Sequence, residues 1–277
     1  MRQVRFDPSL VVGAKRTGQF PQRPGTTVVI ARRESLFAMN GPIALDVYET
    51  IAERYSKNVE RSPWNAYYER PAMLSLVGDL RGKSVLELGC GNGFYLEAAF
   101  AGGAVRVAGV DCSPAMAAIA QKRTGGRAEV VVAAVEDGLP MFADGSFDVV
   151  LCPLILHYVK DWGPALREAR RLLSPGGSVT LSVGHPLMDY EASVTKRYAE
   201  TELLKETWST YGVTMPVYRR SLQAMFDSFA DAGFVVDRLV EPLPVPELEA
   251  IDPGVFKILQ NFPNFICFRL QVRGGDI

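Results

Sequence analysis

The 277-residue chain has few of the side chains that bind metal ions or form disulfides. It contains only two histidines, and its four cysteines are scattered without C-x-x-C spacing. Structural zinc sites need about four clustered Cys, His or carboxylate ligands, so we expect no metal. The cysteines are typical of buried thiols in a reducing compartment, which predicts a cytoplasmic protein.

The chain also lacks a charge excess and a long apolar segment. Its formal net charge is −1, whereas nucleic-acid-binding proteins usually show a basic excess, so we expect no nucleic-acid partner. No apolar run approaches the roughly 18 residues that would span a bilayer, and no apolar core follows Met1–Arg5. We therefore expect that the chain neither inserts into a membrane nor carries a secretory signal.

Residues 1–40 differ in composition from the rest of the chain. They hold seven basic residues against two acidic ones, and Gly and Pro recur among them. Such a segment is either a loosely ordered extension or an arm that packs over the active site or on a partner subunit, as in a homodimer. We therefore predict an N-terminal extension over residues 1–45 and one domain over residues 46–277.

A glycine-rich turn stands between an apolar strand and a helical pattern. Val85–Leu88 is followed by Gly89, Gly91 and Gly93, and a helix is predicted from Phe94. Glycines at this spacing permit a sharp turn and let a ligand approach the backbone at the start of a helix. Because Phe94 occupies the position of the third glycine of the G-x-G-x-x-G motif, the turn differs from a dinucleotide site.

A carboxylate accompanies this turn at the spacing of a ribose-binding acid. Asp111 ends the next apolar strand, 20 residues after Gly91. A carboxylate there can accept hydrogen bonds from both hydroxyls of a ribose. Together, the turn and Asp111 predict a site for a nucleoside without a phosphate chain.

Strands and helices alternate after residue 84, which predicts a doubly wound, Rossmann-like α/β sheet of about seven strands. The strands are mostly parallel, and Phe265–Val272 is expected as an antiparallel strand at the edge. Helical patterns precede the sheet, at Asp46–Tyr55 and Asn65–Asp79. Residues 185–220 interrupt the alternation after strand five, where open sheets bind ligands, so we interpret them as a lid or substrate pocket.

The segment V-L-E-L-G-C-G-N-G over Val85–Gly93 resembles the first motif of class I S-adenosylmethionine-dependent methyltransferases. The resemblance implies S-adenosylmethionine as cofactor, S-adenosylhomocysteine as product and no metal. Cofactor-binding residues that it implies are Glu87, Gly89, Cys90, Gly91, Asn92, Gly93, Asp111, Cys112, Met116, Val135, Glu136, Asp137 and Leu154. Which acid reaches the adenine is open between Glu136 and Asp137, because an alanine stands where relatives carry aspartate.

Three further segments resemble a bacterial, type 11-like subgroup that acts on small molecules. They are Trp64–Pro71, His185–Tyr190 and Pro216–Arg220. The resemblance makes Tyr55 and Tyr68 candidates to close over the cofactor; helix packing is the alternative for both.

The two histidines follow strands four and five, so His157 and His185 are expected at the same edge of the sheet. An imidazole has an ordinary pKa of about 6.5 and can accept a proton at neutral pH, which makes each a candidate catalytic base. Aromatic residues in the insertion predict a flat or apolar acceptor. Candidate substrate-binding residues are Tyr190, Trp208, Tyr218 and Arg219.

The sequence thus predicts in-line transfer of a methyl group from S-adenosylmethionine to O, N or electron-rich C of a small molecule, for example an aromatic intermediate of secondary metabolism. The main alternative is a methyltransferase-like protein that has lost catalysis and acts in binding or regulation. Phe94 disfavours a dinucleotide-dependent oxidoreductase. A base-flipping nucleic-acid methyltransferase would carry an Asn/Asp-Pro-Pro-aromatic motif after strand four, and the chain does not.

Overall fold

The computed structural model describes residues 41–274. Most of the predicted N-terminal extension, residues 1–40, lies outside the described residues. Nine α-helices occur in the described part of the chain: α1 (Leu45–Val59), α2 (Arg70–Val77), α3 (Phe94–Ala101), α4 (Pro114–Arg123), α5 (Trp162–Leu172), α6 (Pro186–Glu191), α7 (Leu222–Asp231), α8 (Glu247–Ile251) and α9 (Pro253–Asn261).

A seven-stranded sheet forms the centre of the molecule. Its strands are β1 (Ser84–Leu88), β2 (Arg106–Asp111), β3 (Glu129–Val132), β4 (Phe147–Pro153), β5 (Leu173–Gly184), β8 (Phe234–Val240) and β9 (Phe265–Val272), and the remaining strands are β6 (Glu202–Trp208) and β7 (Val213–Arg219). The order is β3-β2-β1-β4-β5-β9-β8. Strands β1 to β5 pair in parallel, and β9 is antiparallel to both β5 and β8.

This architecture confirms the predicted fold class, with one difference at the edge. The antiparallel strand β9 lies one position inside the sheet, and β8 forms the edge. Two apolar clusters cover opposite faces of the sheet, one around Phe147 and Trp162 and the other around Met73 and Leu96. Coverage on both faces is required because parallel strands bury both of their sides. The carboxyl ends of β1, β2, β4 and β5 therefore meet at one edge.

Helix α4 begins at a side-chain cap. Ser113 Oγ accepts a hydrogen bond from Met116 N at 3.0 Å, with Pro114 in the first turn of α4. The predicted helix from Asn65 begins as a π-turn, Asn65–Glu69, and continues as α2. Short π segments are frequent at functional sites, and this one lies beside the glycine turn.

The insertion after β5 folds as helix α6 and a separate two-stranded hairpin, β6–β7. Leu204, Met215 and Val217 are buried on one face of the hairpin and pack with Ala44 and Tyr48 at the start of α1. The insertion therefore forms a wall with the N-terminal helix. None of the helices within residues 41–274 is long and apolar enough to cross a membrane.

Candidate active site

The glycine turn adopts a conformation that side chains would prevent. Gly89, Gly91 and Gly93 have φ angles of 68°, 50° and 76°, in the left-handed region. A Cβ atom on Gly89 would overlap Ile155 Cδ1, and one on Gly93 would lie 3.0 Å from Ala120 Cα. Gly89 and Gly91 thus bring bare backbone to the rim of a cavity at the end of β1, and Gly93 packs against α4.

Asp111 is fixed at the end of β2 by two backbone groups. Its Oδ2 atom accepts a hydrogen bond from Gly91 N at 2.7 Å, and its Oδ1 atom accepts one from Ser113 N at 2.9 Å. Burial raises the pKa of Asp111 to about 6. Each carboxylate oxygen keeps a further lone pair, so the group can still accept hydrogen bonds from a diol in the cavity.

Glu87 is the least satisfied acid in this cavity. Its side chain is buried on β1, and Oε2 has no hydrogen-bond partner within residues 41–274. Burial raises the pKa of Glu87 well above its ordinary value, and the charges of Asp111 and Glu69 raise it further. A buried carboxyl oxygen without a partner calls for a ligand that donates a hydrogen bond, such as an ammonium group.

A second acid and a guanidinium complete this polar end of the cavity. Glu69 is satisfied, because it accepts hydrogen bonds from Tyr95 Oη at 2.7 Å and from Ser182 Oγ at 2.6 Å. Arg70 is buried, and its Cζ atom lies 3.7 Å from the centre of the Phe94 ring. A ligand with an ammonium and a carboxylate, as in the methionine part of S-adenosylmethionine, would find partners of both signs here.

The other end of the cavity is mostly apolar. It is lined by Cys112, Met116, Ala133, Val135 and Glu136. Burial raises the pKa of Cys112 to about 12, so its thiol is neutral. Asp137 is exposed and lies outside this lining, whereas Glu136 is half-buried within it. Between the two candidate acids for adenine, the structure places Glu136 at the cavity.

A second, larger cavity adjoins the first. The cavity at the glycine turn has a volume of about 130 Å³ and the second about 360 Å³. Side chains that line both include Tyr48, Tyr55, Leu154 and Tyr158. Leu154, at the end of β4, has a φ of 52°, which is rare outside glycine, and its N–H donates to Ser182 O at 2.9 Å. These side chains therefore form the common border of the two cavities.

An aromatic cluster between α1 and the β6–β7 hairpin lines the second cavity and includes tyrosines of the boundary. The Tyr55 and Trp208 rings stack with centroids 6.1 Å apart and an interplanar angle of 15°. Tyr48 meets both rings edge to face, and its hydroxyl is 2.9 Å from that of Tyr158. His157 lines the same cavity and packs against the Tyr158 ring. A flat molecule in this cavity would touch aromatic faces and one imidazole.

His185 is not in either cavity, contrary to its predicted role as a base. It caps helix α6, where Nδ1 accepts a hydrogen bond from Leu187 N at 3.2 Å. Its Nε2 atom is 2.9 Å from Glu241 Oε1. Burial lowers the pKa of His185, and the contact with Glu241 partly opposes this. Both ring nitrogens are thus engaged in holding the polypeptide, which leaves His157 as the histidine at the site.

Three of the four predicted substrate-binding residues also lie outside the cavities; only Trp208 lines one. Arg219 is 1% exposed and forms an ion pair with Glu202, its cross-strand neighbour. Tyr218 points to the opposite face of β7 from Val217, because successive strand residues alternate. Tyr190 donates its hydroxyl hydrogen to Lys196 O at 2.9 Å. These side chains build the insertion.

Of the predicted cofactor-binding residues, some line a cavity and others do not. Tyr55 lines both cavities, and burial raises its pKa to about 12. Tyr68 is fully buried; its ring packs on Phe265, and its hydroxyl accepts a hydrogen bond from Asn264 N. Tyr68 therefore belongs to the core rather than to the cavity lining. Gly93 shapes the turn as the N-cap of α3.

Sequence reasoning missed Tyr48, Asn65, Arg70 and Tyr158, which line the first cavity. One signal was available for Tyr48: it precedes Tyr55 by seven residues, so both share one face of α1. Asn92 is joined to this helix, since its Nδ2 atom donates to Glu60 Oε1 at 2.7 Å. Helix α1 and the glycine turn thus form one unit. No group of three or more potential metal ligands occurs within residues 41–274.

Comparisons with known proteins agree with this geometry. Residues 86–181 match the family model of a methyltransferase domain, the segment that contains the glycine turn, Asp111 and the end of β4. The chain contains a methyltransferase domain over these residues. The predicted family and its cofactor are therefore confirmed.

Two curated relatives and one solved structure show how far the likeness to this methyltransferase extends. An uncharacterised Haemophilus influenzae protein is 27% identical over 74% of this chain and 88% of its own length. A ubiquinone biosynthesis O-methyltransferase of Xanthomonas oryzae is 33% identical over 50% of this chain and 59% of its own length. The Burkholderia thailandensis 1,6-didemethyltoxoflavin N1-methyltransferase, 19% identical, superposes with a TM-score of 0.57 over 90% of this chain and 95% of its own, which shows a shared fold.

Proposed function

We propose that the protein transfers a methyl group from S-adenosylmethionine to a small-molecule acceptor bound in the second cavity. The observation that carries the proposal is the shared wall of Tyr48, Tyr55, Leu154 and Tyr158 between the two cavities. A donor held at the glycine turn and an acceptor held beside His157 would meet at this wall. Proximity and alignment of this kind can supply a large part of the rate enhancement of a displacement reaction.

The residues of the first cavity have separate roles in this proposal. Asp111 accepts hydrogen bonds from the ribose hydroxyls, and Glu87 binds the ammonium group. Arg70 pairs with the carboxylate of the methionine part. Cys112, Met116 and Val135 contact the adenine ring. These contacts orient the cofactor, whose sulfonium supplies an already activated methyl group.

The residues of the second cavity exclude water and handle the proton of the acceptor. Tyr55 and Trp208 line this cavity with stacked rings. His157 accepts a proton from an acceptor O–H or N–H group, because a neutral imidazole is a base near neutral pH. The aromatic lining favours a flat acceptor, such as an aromatic intermediate of secondary metabolism. The named relatives, an O-methyltransferase and an N1-methyltransferase, leave both O and N as candidate methylated atoms.

The alternative function is a binding or regulatory protein with the methyltransferase fold. Calorimetry with S-adenosylhomocysteine tests the cofactor site, and incubation with methyl-labelled S-adenosylmethionine and bacterial small-molecule extracts tests the reaction. We expect binding and a labelled product that mass spectrometry identifies. The alternative would be favoured if the protein binds S-adenosylhomocysteine but transfers no label to any extract, and if the His157→Ala variant gives the same two results. Absence of binding would refute the assignment of the cofactor site.

A further inference from the structure

Glu69 lies at the centre of a buried chain of hydrogen bonds that ends at the common border of the two cavities. It belongs to the Trp64–Pro71 segment, closes the π-turn Asn65–Glu69 and is 1% exposed. Its Oε2 atom accepts a hydrogen bond from Tyr95 Oη on α3 at 2.7 Å, and its Oε1 atom accepts one from Ser182 Oγ on β5 at 2.6 Å. One carboxylate thus joins the π-turn, a helix and the sheet.

Ser182 extends this connection to the backbone of Leu154. It is fully buried, and its Oγ and main-chain O atoms both accept a hydrogen bond from Leu154 N, at 3.1 and 2.9 Å. A hydroxyl group can accept and donate at once, so Ser182 Oγ accepts from Leu154 while its own hydrogen goes to Glu69. Ser182 is not among the described residues that line either cavity. It can therefore affect a bound molecule only through its neighbours.

Leu154 has a backbone conformation that needs such support. Within residues 41–274, it and the exposed Lys196 are the only residues other than glycine with a positive φ. Strain of this kind persists only where the surrounding structure fixes it. On the other side, Ile155 fills the space that a Cβ atom on Gly89 would need. Residues 154–155 are thus held between β5 and the glycine turn.

The place of Leu154 gives this strain a consequence for methyl transfer. Leu154 lines both cavities, and a 3₁₀ turn that carries His157, Leu156–Tyr158, begins two residues later. A displaced Leu154 would change the border at which donor and acceptor meet and the direction of the following turn. We propose that Glu69 is a positioning residue for methyl transfer, which acts through Ser182 on the backbone of Leu154. This inference rests on the proposed function, because it assigns a part in that reaction.

The variant Ser182→Ala removes the hydroxyl link without changing a residue of either cavity lining. Thr180→Val is the matched control. Thr180 lies two residues away on the same face of β5 and is fully buried, and its Oγ1 atom has no hydrogen-bond partner within residues 41–274. Each variant thus loses one buried hydroxyl group, but only Ser182→Ala loses the connection between Glu69 and Leu154.

Two quantities are measured for each folded variant. Calorimetry gives the dissociation constant of S-adenosylhomocysteine. The transfer rate is followed with saturating methyl-labelled S-adenosylmethionine and the small-molecule extract that the wild-type protein labels. We expect Ser182→Ala to lower the transfer rate at least about tenfold, with a dissociation constant within about twofold of wild type, because small misplacements of reacting groups are costly. Thr180→Val should keep both values.

A double-mutant cycle separates action through Ser182 from independent effects. Glu69→Gln leaves one acceptor oxygen for two donors, Tyr95 and Ser182, so its transfer rate should also fall at least about tenfold. If both residues act on Leu154 through one chain, the double variant should be no more than about threefold slower than the slower single variant. In crystals with S-adenosylhomocysteine, Leu154 should keep one conformation at positive φ in Thr180→Val and adopt another in Ser182→Ala.

A wild-type transfer rate in Ser182→Ala would overturn the inference. So would multiplying effects in the double variant, or a slow Ser182→Ala variant in which Leu154 is unchanged. The wild-type protein itself distinguishes the two proposals. If it binds S-adenosylhomocysteine but labels no extract, the proposed function fails, and the role of Glu69 fails with it. If the wild type transfers the label and Ser182→Ala does so equally well, only the role of Glu69 fails.

Discussion

Replacement of Asp111 by alanine should weaken cofactor binding more than any other single change at the edge of the sheet. Hydrogen bonds to a charged acceptor contribute about 1.5–3 kcal/mol each, and a ribose diol offers two. The lower value gives a loss of about 3 kcal/mol, or roughly a hundredfold in the dissociation constant. The variant also removes the acceptor for Gly91 N and Ser113 N, which loosens the turn and acts in the same direction.

The assay is calorimetric titration with S-adenosylhomocysteine at pH 7.5. Asp111→Asn keeps the volume and one acceptor oxygen but loses the charge, so its affinity should fall between those of wild type and Asp111→Ala. Asp137→Asn is the matched control, because it neutralises an exposed carboxylate on the following segment. A folded Asp111→Ala variant that binds within threefold of wild type would refute the assignment of Asp111 to the ribose.

Three further outcomes are expected. Burial raises the pKa of Asp111 to about 6, and only its ionised form is a full acceptor, so affinity for S-adenosylhomocysteine should fall roughly tenfold from pH 7 to pH 5; a titration series checks this, and Asp111→Asn should show a flatter profile. His157→Ala should lower kcat about a hundredfold at unchanged cofactor affinity. His185→Ala should leave kcat near wild type but lower the free energy of unfolding by about 1 kcal/mol, because a helix cap is lost. Equal kcat values for the two variants would contradict these separate roles. Gly89→Ala, which forces a side chain into Ile155 at positive φ, should destabilise the fold by at least about 1–3 kcal/mol in denaturant unfolding; a normal unfolding midpoint would show that the turn has room.

The sheet and the cofactor cavity were largely predictable because their determinants are local. A strand, a positive-φ glycine turn and a helix start are contiguous in the chain, and Asp111 follows at a spacing that parallel pairing of β1 and β2 imposes. The position of β9 was harder, since only contacts between distant segments decide which strand lies at an edge. Helices α8 and α9 were not predicted, because they are short and their apolar residues, Leu248 and Leu259 among them, pack on Phe265 from far along the chain.

The acceptor cavity was predicted only in outline. Its location after β5 follows from the sheet, but the side chains that line it depend on the pairing register of the hairpin. Leu204 pairs with Val217, which turns Val217 inward and Tyr218 to the opposite face. A shift by one residue would reverse this arrangement. His157 and His185 looked equivalent in the sequence, and only the cap on α6 and the contact with Glu241 distinguish them.

The separation of the β6–β7 hairpin from the main sheet bears on how such a protein diversifies. No strand pairing joins the two sheets within residues 41–274, and the hairpin meets the rest mainly through side chains on α1 and near Tyr158. Insertions or exchanges between Glu202 and Arg219 can therefore remodel the acceptor side without disturbing the glycine turn or Asp111. In the proposed function, the hairpin contributes to acceptor binding and the glycine turn with Asp111 to cofactor binding, so an exchange of hairpins would be expected to change the acceptor while the cofactor site is kept.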